Sequence, residues 1–541
     1  YARWGEECAA QLIGDFAFAI WDRRERKLFC ARDALGVKPL HYARWGACVC
    51  VATEAQQCLA HPDAVGRLDE VAVVDYLANN CADEERTLFE GVRRVPLSYR
   101  LTARGEGLRL SCYWRLDADE CILYRTDEEY ADHFLEVFRR AVTDRLRTVS
   151  GPVALLMSGG LDSGSIAAVA QRALRATGKE NLLACSFVFP SLPSCDESTY
   201  LDEMGSRLGI DRCQVNVEKS WLYGDLENAT PSVEHPFTGW DAPDREAIGC
   251  VKARGARVLL TGHVARYTRL GHWSLFYADA LLRGNLRVVR QVMEREAPED
   301  GGVVRALYRH LVWPVIRHAA ASWFPRVALA YLRARAEVPP WIPAGLARKT
   351  RVRERLAAAA LTDHVRDVRR LDGFRATATD GVGRAVGWLD RVAAAAGIEC
   401  RHPFLDRRVV EYLFSAPPER VHGERGARWI IRNAMRGILP DVIRMRLRKT
   451  LLGEFVEVSL REQHRAAIVR LFDDPVAAQL GFVDASILRD AYDAWANGSA
   501  DERFGPGMFW PTITLEVWLR KHFCGEGVRV LVPGGGLAGG D

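Results

Sequence analysis

No stretch of the 541-residue chain approaches the ~20 consecutive apolar residues of a membrane-crossing helix. Its first segment also lacks the basic run, apolar core and small-residue cleavage site of an export signal. A cytoplasmic, non-membrane protein is expected. Charge of one sign is not in excess, since 74 Lys and Arg face 70 Asp and Glu. No basic stripe announces a nucleic-acid partner. Metal-type cysteine spacing is absent too. The 14 Cys occur singly, as at Cys58, Cys185, Cys250 and Cys400, and the closest pair, Cys48-Val49-Cys50, lacks the spacing and His neighbours of a zinc site. Reduced thiols are expected. There is no internal repeat. What remains is ordinary globular composition, 48% hydrophobic and 27% charged, in a chain long enough for several domains.

From Leu12 to about Leu116, short apolar runs such as Phe16–Trp21 and Cys48–Ala52 alternate with turn residues Gly36, Pro39 and Gly105. This alternation predicts an antiparallel, strand-rich unit. Between Thr126 and Arg147, Phe134, Leu135, Val137, Phe138, Val142 and Leu146 recur at helical spacing. Beyond Gly151 the pattern changes to apolar runs at Val153–Met157, Leu182–Phe189, Cys213–Val217 and Val258–Leu260, separated by helix-length segments. Such runs predict a parallel sheet covered on both faces. Residues 284–353 are rich in Arg and Trp (Trp313, Trp323, Trp341) and read as helices broken at Pro339-Pro340, and Asp390–Phe455 reads as helical again.

Directly after Val153–Met157 comes Ser158-Gly159-Gly160-Leu161-Asp162-Ser163, followed by a helical face of Ile166, Val169, Ala170, Ala173 and Leu174. Strand, glycine turn and helix together place backbone N–H groups and a helix N-terminus at a strand's C-terminal end, where phosphates are favoured. No Lys follows the turn, so it is not the loop of kinases and GTPases.

The hexapeptide resembles the S-G-G-x-D-S pyrophosphate loop of enzymes that split ATP between its α- and β-phosphates. The resemblance implies ATP and Mg2+ as cofactors, Met157, Ser158, Gly159, Gly160, Asp162 and Ser163 as nucleotide-binding residues, and Asp162 as the metal ligand. Gly14–Asp22 with Ala31-Arg32-Asp33-Ala34-Leu35-Gly36-Val37-Lys38-Pro39-Leu40 is similar to the second half of a class II glutamine amidotransferase domain. Glu399-Cys400-Arg401-His402-Pro403-Phe404-Leu405-Asp406 resembles the E-x-R-x-P-F-L-D element of the asparagine synthase family, and Arg428–Arg432 with Leu439-Pro440 resembles the helices after it.

The fold implied is α/β. A partial class II glutamine amidotransferase (Ntn-like, αββα) domain over 1–120 would lack its first strands and nucleophile. A Rossmann-like PP-loop synthetase domain of the adenine nucleotide alpha hydrolase-like kind would span 126–525, with the helical insertion at about 284–353 and a flexible tail at 526–541. By the same resemblance Phe187, Val188 and Phe189 would line the adenine site, Thr261 and Gly262 would flank ribose and phosphates, and Lys449 would steady charge on the α-phosphate.

Two features depart from the family pattern. The amidotransferase chemistry uses an N-terminal Cys, whereas residue 1 is Tyr and Cys8 is internal, so a fragment or processed chain without glutamine hydrolysis is expected. After Val258–Leu260, where the family has acids, the chain reads Thr261-Gly262-His263-Val264-Ala265-Arg266-Tyr267. Arg266 cannot coordinate magnesium, which leaves open an impaired, nucleotide-binding homologue. His263 with Glu399 is the candidate dyad for deprotonating the attacking amine.

The expected reaction is adenylation of an Asp or Glu side chain followed by amide formation. Free aspartate and a precursor peptide, as in lasso-peptide macrolactam synthetases, are the two substrates weighed. Cys195–Tyr200, Tyr277–Gly284 and the Arg- and Trp-rich insertion ending at Trp341 resemble the peptide group. A homodimer or a maturation protease is the partner such a chemistry would have.

Overall fold

The computed structural model describes residues 1–523, apart from 65, 118–119, 180, 227–234, 237–239, 264, 266–283, 285, 287–288, 291–301, 309–311, 314–323, 362–380, 423–427, 448 and 499–503. The chain folds as an antiparallel N-terminal unit followed by a parallel α/β unit.

Strands β1 (Ala17–Asp22), β2 (Lys27–Arg32), β3 (His41–Trp45), β4 (Cys48–Ala52), β5 (Val92–Arg94), β6 (Tyr99–Arg104) and β7 (Gly107–Cys112) build the first unit. They form two sheets, in the orders β1-β2-β6-β7 and β4-β3-β5, antiparallel throughout. The Ala31–Leu40 motif is the loop joining β2 to β3, and its polar residues substitute for backbone pairing. Arg32 donates to the carbonyls of Lys38, Val95 and Gly36 at 2.9, 2.9 and 2.7 Å. Asp33 accepts from the amides of Val37 and Lys38, both at 2.9 Å.

Helix α1 (Asp127–Asp144) carries the chain into the second unit. Thr126 caps it, accepting from the Glu129 amide while the Glu129 side chain returns to the Thr126 amide. Strands β8 (Val153–Leu156), β9 (Leu183–Val188), β10 (Asp211–Asn216), β11 (Val258–Thr261) and β12 (Glu399–Arg401) then form one parallel sheet in the order β10-β9-β8-β11-β12. Alternation along β8 fills both faces, Ala154 and Leu156 on one side, Val153, Leu155 and Met157 on the other. Helix α2 (Leu161–Ala176) covers the second face through Ile166, Ala170 and Leu174, and α3 (Asp241–Ala253) covers the first through Ala247, Ile248 and Val251. This two-sided burial explains why β8 and β11 read as continuous apolar runs, whereas edge strand β10 alternates buried with more exposed residues.

Chain order reverses at β8, which has β9 on one side and β11 on the other. In an open parallel sheet such a switch point leaves a crevice beyond the strand ends, where ligands bind.

The two units share an apolar contact of Leu35 and Val37 with Val386, Leu405, Val410 and Phe414. Beside it Lys38 pairs with Asp390 at 2.7 Å, and Arg145 bridges Asp15 at 3.0 Å and Asp406 at 2.6 Å. The described part of the insertion holds helices at Val303–Leu307, Pro325–Arg335 and Ala344–Lys349, with the last two separated by an irregular stretch through Pro339-Pro340. Trp341, at the end of the Arg- and Trp-rich segment, is fully buried. It stacks on Phe509 of α4 (Pro506–Phe523), ring centroids 5.1 Å apart, and donates to Thr512 Oγ1 at 3.0 Å. The double proline delivers this ring into the core, where its N–H finds a partner. Trp323 lies outside the described residues. Among the described residues no helix is long and apolar enough to cross a membrane.

Candidate active site

The loop Ser158–Ser163 leaves β8 at the switch point and opens α2, with Gly160 at the helix N-cap. Its two serines fold it back on itself. Ser163 Oγ donates to the Ser158 carbonyl at 3.0 Å and accepts from the Ser158 amide at 3.1 Å. The Met157 amide donates to the Cys185 carbonyl at 2.8 Å, fixing the loop's start to β9.

From the far side the loop is held by residues distant in sequence. Glu197 accepts from the Gly159 amide at 2.9 Å and from Arg446 at 2.7 Å, while Arg446 also donates to the Gly159 carbonyl at 3.0 Å. The Arg446 guanidinium lies 4.0 Å above the Tyr200 ring. A Cβ on Gly159 would stand 2.9 Å from the Cβ atoms of both Glu197 and Tyr200, so only glycine fits. Glu197 and Tyr200, both in the Cys195–Tyr200 segment, therefore hold the loop, and Arg446 joins them as a site residue that the sequence motifs did not single out.

Asp162 sits in the first turn of α2. One carboxylate oxygen pairs with Arg428, and the other is buried with no hydrogen-bond partner among the described residues. The donor set fits a hard cation, since Mg2+ is held by one or two carboxylates plus substrate phosphates. Asp162 would supply the carboxylate oxygen.

At the end of β11, Thr261 is buried and its hydroxyl meets His402 Nδ1 at 2.7 Å. His402 is also fully buried, and its Nε2 has no partner among the described residues. Desolvation, with the nearby His263, Lys38 and Arg145, pushes the His402 imidazole down to about 3, so it is neutral. A Cβ on Gly262 would lie 3.1 Å from the Ser163 amide nitrogen, so β11 and the loop touch backbone to backbone here. His263 opens to the crevice, and desolvation followed by the charge of Lys449 holds its imidazole below the usual histidine range. Lys449 lines a cavity of about 710 Å³ with Ser194, Tyr200, Arg446, Glu454 and Glu457.

The structure thus brings Asp162, Thr261, Gly262, His263 and Lys449 to one end of the sheet. It does not bring Glu399 there. Parallel pairing sets Glu399 opposite Val258, at the other end of β11 from His263. At ~3.3 Å per residue the intervening chain spans roughly 15 Å. Glu399 instead pairs with Arg401 at 2.8 Å, whose hydrogen bonds hold its carboxyl below the ordinary range. His402, three residues on, reaches the crevice end. Phe187 and Val188 are half-buried at the end of β9, whereas the Phe189 ring is buried against Trp240 and Phe455, beneath the site rather than lining it. Arg266, Tyr267 and 277–283 lie outside the described residues.

A family model described as Asparagine synthase matches residues 133–520, and one described as Glutamine amidotransferase domain matches residues 1–114. Asparagine synthetase (glutamine-hydrolyzing) 3 of Bacillus subtilis is 27% identical over 82% of this chain and 68% of its own length. Amidase chry2 of Gibberella zeae is 24% identical over 92% of this chain and 78% of its own. Among solved structures, the U34-tRNA thiolase NcsA from Methanococcus maripaludis with its 4Fe-4S cluster matches 32% of this chain and 60% of that one at 14% identity, with a TM-score of 0.19. The first model covers well over half of the chain, and its family comprises ATP-dependent ligases that form C–N bonds with release of AMP and pyrophosphate. The chain belongs to the asparagine synthase family.

Proposed function

We propose that the chain adenylates the side-chain carboxylate of aspartate in the crevice above Ser158–Ser163 and then transfers the acyl group to an amine nitrogen. The observation that carries this reading is Asp162, which offers a buried carboxylate oxygen with no hydrogen-bond partner among the described residues, at a helix N-terminus in the switch-point crevice. The loop amides receive the pyrophosphate, and Mg2+ held at Asp162 would neutralise phosphate charge. Lys449 faces the developing charge on the α-phosphate. His263, kept neutral by desolvation and by Lys449, accepts the proton of the attacking amine. Glu399 has no part in that transfer.

A second reading, a peptide Asp or Glu side chain closed onto an amine, is favoured by the cavity beside the loop. At about 710 Å³ it falls within the ~300–1,000 Å³ range of sites for ligands much larger than aspartate. The amidotransferase-like unit is placed at 1–120 and the synthetase unit at 126–525, the capped start of α1 supporting the division. A cytoplasmic location agrees with the ATP requirement and with the lack of a membrane-crossing helix among the described residues.

The test is pyrophosphate release from the purified chain with ATP, ammonium and either aspartate or Asp-containing peptides. Aspartate-dependent release with asparagine formed is expected. Release with peptides alone would replace it by the second reading, and none with any carboxylate would overturn both.

A further inference from the structure

Cysteines that stand far apart in the sequence meet in the fold beneath the nucleotide loop. Cys185 of β9 and Cys213 of β10 are direct register partners in a parallel pair, so their side chains leave the same face of the sheet. Helix α3 covers that face, and Cys250 comes down from it onto the pair. The three sulfur atoms lie within 4.8 Å of one another. Cys185 and Cys213 are buried, and Cys250 is half-exposed at the rim.

We propose that Cys185, Cys213 and Cys250 form a three-thiolate site for a thiophilic metal ion of the Zn2+ type. Zn–S bonds of ~2.3 Å around one tetrahedral ion set S···S separations near 3.8 Å, so closing the cluster takes a contraction of roughly 1 Å. Three soft sulfur donors with no carboxylate or imidazole among them select thiophilic ions over Mg2+ or Ca2+. Binding displaces three thiol protons to solvent and leaves one net negative charge on the complex with Zn2+. The Arg254 guanidinium at the end of α3 lies within electrostatic range of Cys213 and Cys250 and offsets it. The half-exposed position of Cys250 supplies both an entry path and room for a water as fourth ligand. A disulfide would use two of the sulfurs and strand the third in the core.

The site joins β9, β10 and α3, and the Cys185 carbonyl is the atom to which the Met157 amide is bonded. A metal here would brace the frame of the crevice without touching substrate, so its occupancy is expected to raise thermal stability whether or not the synthetase reading holds.

The full-length chain, purified under reducing conditions and freed of metal by chelation, is titrated with Zn2+ and, for absorption, with Co2+. One ion per chain is expected, with thiolate-to-cobalt charge-transfer bands and a higher melting temperature. Cys250→Ser, at the rim where it leaves the core packing alone, is expected to weaken Zn2+ affinity at least tenfold, while Cys112→Ser on β7 does not. Should Cys250→Ser misfold, the cobalt spectrum of the unaltered chain decides. No binding, an unchanged affinity in Cys250→Ser, a cobalt spectrum without sulfur bands, or a Cys213–Cys250 disulfide in the freshly isolated protein would overturn the site.

Discussion

Asp162 and Arg428 meet across the mouth of the crevice, and only one of the two aspartate oxygens is used in the pair. Arg428 adopts a left-handed backbone, φ 60°, a conformation that costs a non-glycine residue roughly 1–3 kcal/mol, and the ion pair is among the contacts that hold it. The other Asp162 oxygen, which has no hydrogen-bond partner among the described residues, is the one that would meet a cation on the phosphates in the proposed reaction. Asp162→Asn retains an acceptor for Arg428 but removes the charge. It is expected to lower pyrophosphate release by ~10²-fold with an unchanged circular dichroism spectrum. Release within threefold of the parent would remove Asp162 from the reaction.

Lys449 and Glu399 are separated by the length of the sheet, and their variants should separate as sharply. Lys449→Met removes the cation proposed to face the α-phosphate and is expected to cost ~10²-fold or more in kcat. Glu399→Gln, at the far strand end and paired with Arg401, is expected to stay within threefold of the parent. Single-turnover kinetics on both variants makes the comparison, and a large kcat loss in Glu399→Gln would restore it to the reaction.

Gly159 of the loop is pinned against the start of helix Ser198–Leu208. Gly159→Ala forces its Cβ against Glu197 and Tyr200, and overpacking of this kind costs roughly 1–3 kcal/mol. The strain falls on the Glu197–Arg446 bracket, so nucleotide affinity should drop along with stability. Urea denaturation and ATP titration of the variant check the two losses.

The residues behind these predictions differ in how far sequence alone exposes them. The Ser158–Ser163 loop is legible because strand, turn and helix are contiguous and each has its own local signature. The parallel sheet is legible because burial on both faces removes polar residues from its central strands β8 and β11. Glu399 illustrates the opposite case. A three-residue strand presents its two ends to different sides of the sheet, and only its pairing with β11 decides that His402, not Glu399, reaches the crevice. The Glu197–Arg446 bracket joins residues 249 positions apart and carries no local pattern. Cys185, Cys213 and Cys250 look scattered until the register of β9 with β10 and the rotation of α3 align them. Trp341 stands among prolines, which give no helix or strand periodicity to mark it as core, and becomes core because α4 packs over it.

Two buried histidines give stability a pH dependence whose sign follows from burial. Desolvation lowers His464 to about 4 and His402 to about 3, and His464 Nε2 accepts from the Tyr223 amide at 3.4 Å, which requires the neutral ring. Unfolded histidine titrates near 6.5, so below that pH the unfolded chain binds protons that the native state refuses. Their contribution is intact above pH 6.5 and is lost as pH falls toward 4, by about 1.4 kcal/mol per pH unit for each ring. Asp244, pushed up to about 7 by burial, acts in the opposite sense over the same window and flattens the parent curve. His464→Leu isolates the effect. The difference in unfolding free energy between parent and variant, from urea melts at pH 7, 6 and 5, should shift by about 1 kcal/mol per unit in the variant's favour as pH falls, and a constant difference would contradict it.

Arg145 is the hinge of the interface between the two units. It is buried, bridges Asp15 and Asp406, and donates to the Ala141 carbonyl at 3.2 Å, while Asp406 also accepts from Arg408 at 2.8 Å. Burial raises the Asp15 carboxyl against the opposing pull of Arg145, whereas Asp406, with two guanidiniums, is held low. The two carboxylates therefore depend on Arg145 unequally. Arg145→Met strips Asp15 of the guanidinium it pairs with but leaves Asp406 with Arg408, and removing one member of a buried pair costs roughly 3–5 kcal/mol. Asp15 escapes part of that cost by taking up a proton, so the loss should be smaller at pH 5 than at pH 8. Arg145→Lys restores the charge but not the fork that spans both acids, and is expected to recover less than half of the loss. Denaturant melts of the parent and both variants at the two pH values measure all three quantities. Equal losses at pH 5 and pH 8 would show that packing of the arginine stem, not its charge on Asp15, joins the two units.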